Sequence, residues 1–488
     1  MGIIRYIATA DAEITNAYTS NLRTRATGSN MGAADTMGIF SIYGQSMSSS
    51  VEQARALLQF DMNTVINDRA NASIPASGSV NFFLRMFNSA HPFTLPSGFN
   101  LIVRSVANRS WTEGDGKDAE EYSDKGAVNW ASASQGTAWT TAGGDYHAES
   151  PSTRFTQYFD TGAEDLEIDI TDFVESWINE SKANYGVGVM LESSKEDGSA
   201  QRSYYIKKFH SRNSSYFNRR PVIEARWDSS IRDDRGDFYY SSSLAPADEN
   251  VSRLAFYNVY RGQLTNVGGV DSSHDTVVYC ALYKGDLNGP ADLPLQSPVT
   301  ASNISRGIYQ ASFTLQSQSL NPNEYIYDVW YGKPASPELG QTGTEFHTGS
   351  YFLPIDAAAL NYNPVSKYVT SCTSLKSEYS RTETARLRFF TRKENWSPTI
   401  YSKASQAISG ETIRDAFWKL HRVVDGLTIV NYGTGSSKQT KLSYDKDGSY
   451  FDLDMSLLEG GYSYGITLLY SGSYGYTEQP EVFKFRVE

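Results

Sequence analysis

Val80 to Phe87 reads VNFFLRMF, a strand-length run of aromatic and aliphatic residues set between Ser77-Gly78-Ser79 and Asn88-Ser89. Short runs of this kind, closed by Gly, Ser, Asn or Asp, are the pattern of sandwich strands. Arg386 to Phe390 (RLRFF) and Val482 to Val487 (VFKFRV) repeat it far down the chain. The 33 Tyr, 23 Phe and 8 Trp are spread over such segments. Helical periodicity is scarce. Thr171 to Ser181 (TDFVESWINES) is the best helix candidate, with Phe173, Val174 and Trp177 behind a Thr-Asp start able to cap free amides. One helix without strand and helix alternation predicts an all-β chain.

At roughly 100 to 200 residues per domain, the 488 residues predict about three domains. Composition breaks the pattern at Asp228 to Asn250 (DSSIRDDRGDFYYSSSLAPADEN), where charge, Ser and Pro suggest a flexible connection, and near Leu353 to Pro364 (LPIDAAALNYNP). The expected modules are 1–228, 229–355 and 356–488. Within the third, Val423 to Val430 (VVDGLTIV) puts Asp425-Gly426 between apolar runs, a two-residue hairpin signal. Leu458 to Ile466 (LEGGYSYGI) has the spacing of a tyrosine corner, and Leu320 to Val329 (LNPNEYIYDV) is a looser echo in the second. Both point to immunoglobulin-like or fibronectin-like sandwiches.

Lys and Arg number 43 against 55 Asp and Glu, a formal charge of −12. Nucleic-acid binders need a basic stripe that releases counterions from phosphates, so no nucleic-acid partner is expected. Cys280 and Cys372 are too few for a disulfide-stapled scaffold. No run of about 18 apolar residues occurs, so no membrane span is expected. Arg5 interrupts the apolar stretch of Met1 to Asp11 (MGIIRYIATAD), which leaves no signal-peptide core and predicts folding in the cytosol.

Residues 1–228 resemble a DNRLRE-type domain, a jelly-roll β-sandwich related in shape to carbohydrate-binding modules. The resemblance lies in an ordered set: Thr9 to Ala12, Ala54 to Asp61 (ARALLQFD), Phe83 to Asn88, Trp111, Val128-Asn129-Trp130, Leu166 to Trp177, Asn184 to Val189 (NYGVGV) and Arg220 to Ala225 (RPVIEA). Residues 229–488 resemble the rear portions of virion structural proteins from T4-like marine and cyanobacterial tailed phages. There the matching pieces are Phe256 to Leu264 (FYNVYRGQL), Tyr432 to Gly435, Lys441 to Met455 and Pro480 to Val487. Together these imply an all-β architecture of an N-terminal jelly-roll β-sandwich followed by two immunoglobulin/fibronectin-like β-sandwich domains. They also imply a non-enzymatic component of a tailed-phage virion, a neck, tail or baseplate accessory assembled in the host cytoplasm. Its expected partners are other virion structural proteins, met as a homo-oligomer or in several symmetric copies.

The residues offer little for catalysis. His91, His147, His210, His274, His347 and His421 are scattered singly, and no hydrolase, P-loop or dinucleotide motif occurs. Carboxylates for glycoside hydrolysis are available at Asp115 to Glu121 and Glu164 to Asp172, but Glu167 and Asp169 alternate with Leu166, Ile168 and Ile170 as on an ordinary half-exposed strand. No catalytic residue, cofactor or metal is assigned. Asp445 to Asp454 and Glu113 to Gly116 lack the spacing of an EF-hand loop and read as turns. Arg235-Gly236-Asp237 reads as a solvated turn in the connection. The rival to the virion reading is a host-surface glycan-binding protein, an adhesin or receptor-recognition module. It would contact host polysaccharide through Trp111, Trp130 and Trp139, which bracket a Gly- and Ser-rich stretch. Exposed coplanar rings would favour that binding, and rings turned inward would favour packing.

Overall fold

The computed structural model describes residues 1–43, 51–92, 96–123, 126–197, 204–241, 250–267, 277–285, 294–316, 324–332, 345–354, 367–396, 400, 410–472 and 475–488. It is mostly β, built from antiparallel sheets. Two compact units divide the chain: residues 2–227 with 457–459, and residue 1 with 228–456 and 460–488.

The first unit carries β1 (Ile3–Ile7), β2 (Ala10–Thr15), β3 (Thr36–Ile42), β4 (Glu52–Gln59), α1 (Met62–Ala70), β5 (Asn81–Met86), β6 (Phe99–Ser105), β7 (Ser132–Ser134), β8 (Thr137–Ala138), β9 (Arg154–Phe159), β10 (Leu166–Asp169), α2 (Thr171–Ile178), β11 (Val187–Leu191), α3 (Ser193–Glu196), β12 (Tyr204–His210) and β13 (Val222–Arg226). Four strands form one sheet in the order β1-β13-β5-β10, and the larger sheet runs β12-β3-β4-β11-β6-β9 with β2 beside β4. Val80 to Phe87 supplies β5, whose Phe82, Leu84 and Met86 face the core. There they meet Leu58, Leu101, Val103, Val187, Val189 and Phe209 of the larger sheet. The expected helix is α2, with Phe173, Val174 and Trp177 buried. Its first amide is capped from outside by Asp169, whose Oδ1 accepts from Thr171 N at 2.9 Å. The other face of the smaller sheet holds a charge ladder across three strands. Glu224, 3% exposed, accepts from Arg5 Nε and Arg226 Nε at 2.7 and 2.6 Å and from Arg85 Nη1 at 3.4 Å. Burial alone would raise this carboxyl, but the three guanidinium groups hold it far below its ordinary value.

The second unit carries β14 (Ser252–Tyr257), β15 (Val259–Tyr260), β16 (Gln263–Leu264), β17 (Val278–Lys284), β18 (Val299–Thr300), β19 (Ser302–Ser305), β20 (Ile308–Phe313), β21 (Ile326–Gly332) and β22 (Glu345–Thr348). It continues with β23 (Tyr368–Cys372), β24 (Glu378–Tyr379), β25 (Thr384–Lys393), β26 (Ala416–Arg422), β27 (Thr428–Val430), β28 (Ser443–Asp445), β29 (Gly448–Asp454), β30 (Ser463–Gly472), β31 (Gly475–Glu478) and β32 (Phe483–Val487). Sheets β14-β20-β19 and β18-β17-β21-β22 share a core around Phe256, Leu282, Phe313 and Trp330. Sheets β23-β25-β29-β28 and β24-β32-β30-β26-β27 are joined by Trp418 of β26 stacked on Phe451 of β29, ring centroids 4.5 Å apart and 6° from parallel. The β26–β27 hairpin forms where Asp425-Gly426 predicts it, but with a longer turn. Only Gly426 has positive φ (+68°), and the Asp425 carboxylate is held by Arg422 Nη2 at 2.6 Å and by Leu427 N at 3.1 Å.

The expected flexible connection is ordered over 228–241, and residues 242–249 lie outside the described residues, as do 355–366 of the second expected boundary. Ile231 and Asp233 exchange backbone hydrogen bonds with Tyr444, adding a short parallel bridge to the edge of β28. Asp234, 1% exposed, accepts from Tyr444 Oη at 2.8 Å and from Arg253 N at 2.6 Å. Arg235 pairs with Asp233 and, through Nη2 at 2.6 Å, with the fully buried Asp328. In the Arg-Gly-Asp tripeptide Gly236 is exposed, but Arg235 and Asp237 are half-buried and paired, where a fully solvated turn was expected. Phe238 then enters the core, 5.2 Å from the Phe352 ring. Charge and Ser content misled because these carboxylates are paired internally.

Phe238→Ala is expected to lower the stability of the second unit by about 3–5 kcal/mol, the cost of an emptied aromatic core site, whereas a solvated linker residue changes it by less than about 0.5. Urea unfolding of the full chain measures the difference.

Candidate functional site

Of the three tryptophans put forward as a glycan platform, Trp130 and Trp139 are buried at 7% and 6% exposure, and Trp111 is half-buried. All three join a cluster on β2 and β4 with Ala12, Ile14, Leu57, Val106 and Val128. The indole N–H of Trp139 donates to Asn129 O and that of Trp111 to Tyr185 O, each at 3.0 Å. Arg55 covers Trp130 at 5.2 Å. The rings cover the outer side of β2 and β4 and present no stacked platform to a ligand. The physical reason is area: the loop 107–146 must close over an apolar sheet face, and indoles bury the most surface per residue.

The acidic turns also have internal employment. Glu113 clasps Arg212 through Nε and Nη2 at 2.6 and 2.5 Å, and Asn30 Oδ1 accepts from Gly116 N at 3.0 Å. Asp445 is clasped by Arg388 through Nη1 and Nη2 at 2.6 and 2.8 Å. Glu167 and Asp169 are exposed between buried Leu166 and Ile168, the half-exposed strand anticipated. No group of three or more metal-ligating side chains occurs among the described residues.

A cleft of about 710 Å³ opens elsewhere in the first unit, over the outer faces of β3 and β12. Alternation on the two strands builds its floor. Tyr205, Lys207 and Phe209 turn inward, so Tyr204, Ile206 and Lys208 turn to the cleft. Met37 and Ile39 turn inward likewise, which sends Thr36, Gly38, Phe40 and Ile42 outward. Met31, Ala34 and Lys117 complete the wall from two loops. The two adjacent lysines of β12 therefore part company. Lys207 is fully buried and donates to Asn88 Oδ1, Gly162 O and Glu164 O at 2.6, 2.9 and 2.7 Å. Burial pulls its ammonium down to about 8. Lys208 stays half-buried at the cleft with no ion pair among the described residues.

Glu13 of β2 supplies the cleft's buried acid. It is 9% exposed, and its Oε2 accepts from Gly38 N at 2.5 Å. A Cβ at position 38 would stand 3.1 Å from that oxygen, so glycine leaves the carboxylate room to approach the strand. Burial pushes the Glu13 carboxyl up to about 7, against the Gly38 amide and the charge of Lys208, which favour ionisation. Two residues earlier, Asp11 is also pushed up to about 7 by burial, although the Arg212 amide donates to it at 2.6 Å. A groove with an apolar floor, one buried carboxyl and two ammonium groups that make no ion pair among the described residues is of the size and character that hold ligands. Sequence reading passed over it because Glu13 and Lys208 are far apart in the chain and neither lies in a motif. The one available signal was Asp11 and Glu13 on a strand whose Ala12 and Ile14 face a core.

No family model matches the chain, and no curated protein matches it. Among solved structures, it is similar to the crystal structure of trypsin activated alpha-2-macroglobulin from Escherichia coli, at 6% identity and a TM-score of 0.15. That likeness covers 99% of this chain and 29% of the macroglobulin chain, so the chain spans under a third of that protein's length. A likeness this low carries no argument about function.

The raised Glu13 carboxyl makes folding pH-dependent. Its folded value near 7 exceeds the ordinary 4.5, so the native state holds the extra proton between these limits and stability falls as pH rises through them. Glu13→Gln, which keeps the acceptor for Gly38 N, is expected to raise stability at pH 8 by up to about 3 kcal/mol and to change it little at pH 4. Denaturant unfolding of both proteins across that range checks it, with Asp11 contributing equally to each.

Proposed function

We propose that this chain is a non-enzymatic structural component of a tailed-phage virion, a neck, tail or baseplate accessory that acts through repeated protein–protein contacts. In this reading the first unit is a DNRLRE-type jelly roll, and the second holds two immunoglobulin-like or fibronectin-like sandwiches. The protein is assembled in the host cytoplasm and works on the particle, beside other virion proteins and further copies of itself.

The observation that carries the reading is the β15–β16 hairpin, which lies in the segment Phe256 to Leu264 that resembles phage virion proteins. Val259 and Tyr260 are 58% and 60% exposed there. The arm is nevertheless held at its base, where Asn258 N donates to Gly307 O at 2.8 Å, Thr265 N to Asn258 O at 3.0 Å and Asn258 Nδ2 to Thr265 O at 2.7 Å. An ordered apolar tip loses little entropy on docking and gains area, which suits a repeated contact. The polysaccharide alternative rested on three indoles that are spent on packing, and nothing else is built on them.

Immunogold electron microscopy of salt-washed particles, with antibody against residues 229–488, is expected to place label at one fixed position. Recovery of the protein only from lysate or cell envelope would overturn the virion reading. Tyr260→Asp is expected to lower incorporation at least about fivefold, the loss of roughly 1 kcal/mol per contact, with an unchanged melting temperature.

A further inference from the structure

We propose that the cleft over β3 and β12 receives an extended peptide segment of a neighbouring protein in the assembly, with a carboxylate side chain directed at Lys208 and Lys117. This deepens the assembly reading, on which the identity of the neighbour rests.

Three features of the site converge on a peptide. Glu13 is nine-tenths buried and faces the cleft, with Gly38 N its one hydrogen-bond donor among the described residues. Lys208 lines the same space, feels the Glu13 charge, and makes no ion pair with it. The gap between the buried carboxyl and the ammonium suits a polar side chain that reaches in from a partner strand and accepts from Lys208.

The floor has the matching periodicity. Phe40 and Ile42 on one strand and Tyr204 and Ile206 on the next recur at every second residue, the repeat of side chains along an extended partner.

The third feature is the edge. β12 ends its sheet, and its backbone is met from outside only toward the C-terminus, where Ser89 N donates to Lys208 O at 2.9 Å and His210 N to Phe87 O at 3.0 Å. Those two bonds fix the parity, so the backbone groups of Tyr204 and Ile206 also point outward. No hydrogen bond reaches them among the described residues, and Tyr204 is 40% exposed. A strand added here completes the ladder and sets alternate side chains beside Tyr204, Ile206 and Lys208 on the cleft's face of the sheet. Charge sets the partner's sign. Lys117 and Lys208 both line the cleft and make no ion pair among the described residues, in a chain whose formal charge is −12, so an acidic side chain is the complement.

The test uses the full chain and two blocked probes, acetyl-Val-Thr-Glu-Thr-Val-amide, whose Glu and two Val share one face when extended, and its Lys-for-Glu counterpart, in calorimetric titration. The acidic probe is expected to bind at least about tenfold more tightly, and Lys208→Glu to reverse that order. Lys117→Glu, on an exposed loop, shifts the preference the same way and keeps the test open should the Lys208 variant fail to fold. Hydrogen exchange supplies the backbone readout, since the Tyr204 and Ile206 amides are expected to slow on adding the acidic probe. Equal affinity for both probes, no binding up to about 1 mM, or unchanged exchange at Tyr204 and Ile206 overturns the proposal. So does an oligosaccharide, or a second copy of the chain, taking the cleft in place of the acidic probe. Because the titration needs no particles, its failure leaves incorporation into virions standing, and absence from virions leaves a measured peptide affinity standing.

Discussion

A carboxylate taken out of water must find donors inside the protein or give up its charge, and this constraint organises both units. Glu224 meets Arg5 and Arg85 on the two neighbouring strands and Arg226 on its own. Asp328, with no exposed surface, meets Arg235 and the indole N–H of Trp330, and Asp234 meets a phenol and a backbone amide. Arg5 and Arg85 reach Glu224 from β1 and β5, Arg235 reaches Asp328 from the 228–241 segment, and Tyr444 and Arg253 reach Asp234 from β28 and β14, so satisfying the charge also fixes which elements lie side by side. Glu13 departs from the pattern, with a single amide donor among the described residues and a raised carboxyl. A group left this far short of partners is costly for folding, and its position at the wall of a cleft gives the cost a purpose.

The same constraint explains how the second unit is tied together. Segment 231–239 lends backbone groups to the edge of β28, a carboxylate to Tyr444 and Arg253, a guanidinium to Asp328 and a phenyl ring to the core beside Phe352. Gln310 Nε2 reaches back to Arg232 O at 3.0 Å, and the Tyr257 and Tyr450 hydroxyls meet at 2.7 Å. A short polar segment thus bonds to both sandwiches of the unit, and loosening one of its anchors exposes unpaired charge at the others. Covering the β28 edge also removes a row of open backbone groups on which another chain could pair.

Local pattern made much of the architecture legible. Strand alternation at Phe82, Leu84 and Met86, the α2 helix and the hairpin at Gly426 are all set by neighbours within a few residues. Helix α1 escaped because its apolar positions are few, although Asp61 before Met62-Asn63-Thr64 is an N-cap that accepts from Asn63 N. The tryptophan platform and the flexible connection misled for a shared reason. Exposure is decided by what packs against a segment, and neither the β2 and β4 face under Trp130 nor Asp328 opposite Arg235 is written near the residue it covers. The tyrosine surplus divides in the same way. Tyr279 stacks with Tyr331 and Tyr283 with Tyr327 across β17 and β21, while Tyr260, Tyr325 and Tyr476 remain more than half exposed.

Bulk charge and local charge part company for a comparable reason. A net charge of −12 argues against a polyanion as the partner of the whole surface, yet it says nothing about a groove whose wall holds Lys117 and Lys208. Fields from distant carboxylates fade over a Debye length of about 8–10 Å in physiological salt, whereas a ligand inside a cleft is governed by the charges lining it. Lys207 and Lys208 sharpen the point. They are identical in composition and adjacent in sequence, but strand parity commits one ammonium to Gly162 and Glu164 carbonyls inside the core and turns the other to the cleft. What a strand can recognise is therefore fixed by which of its two faces a residue occupies, and that is settled by the core on the opposite side.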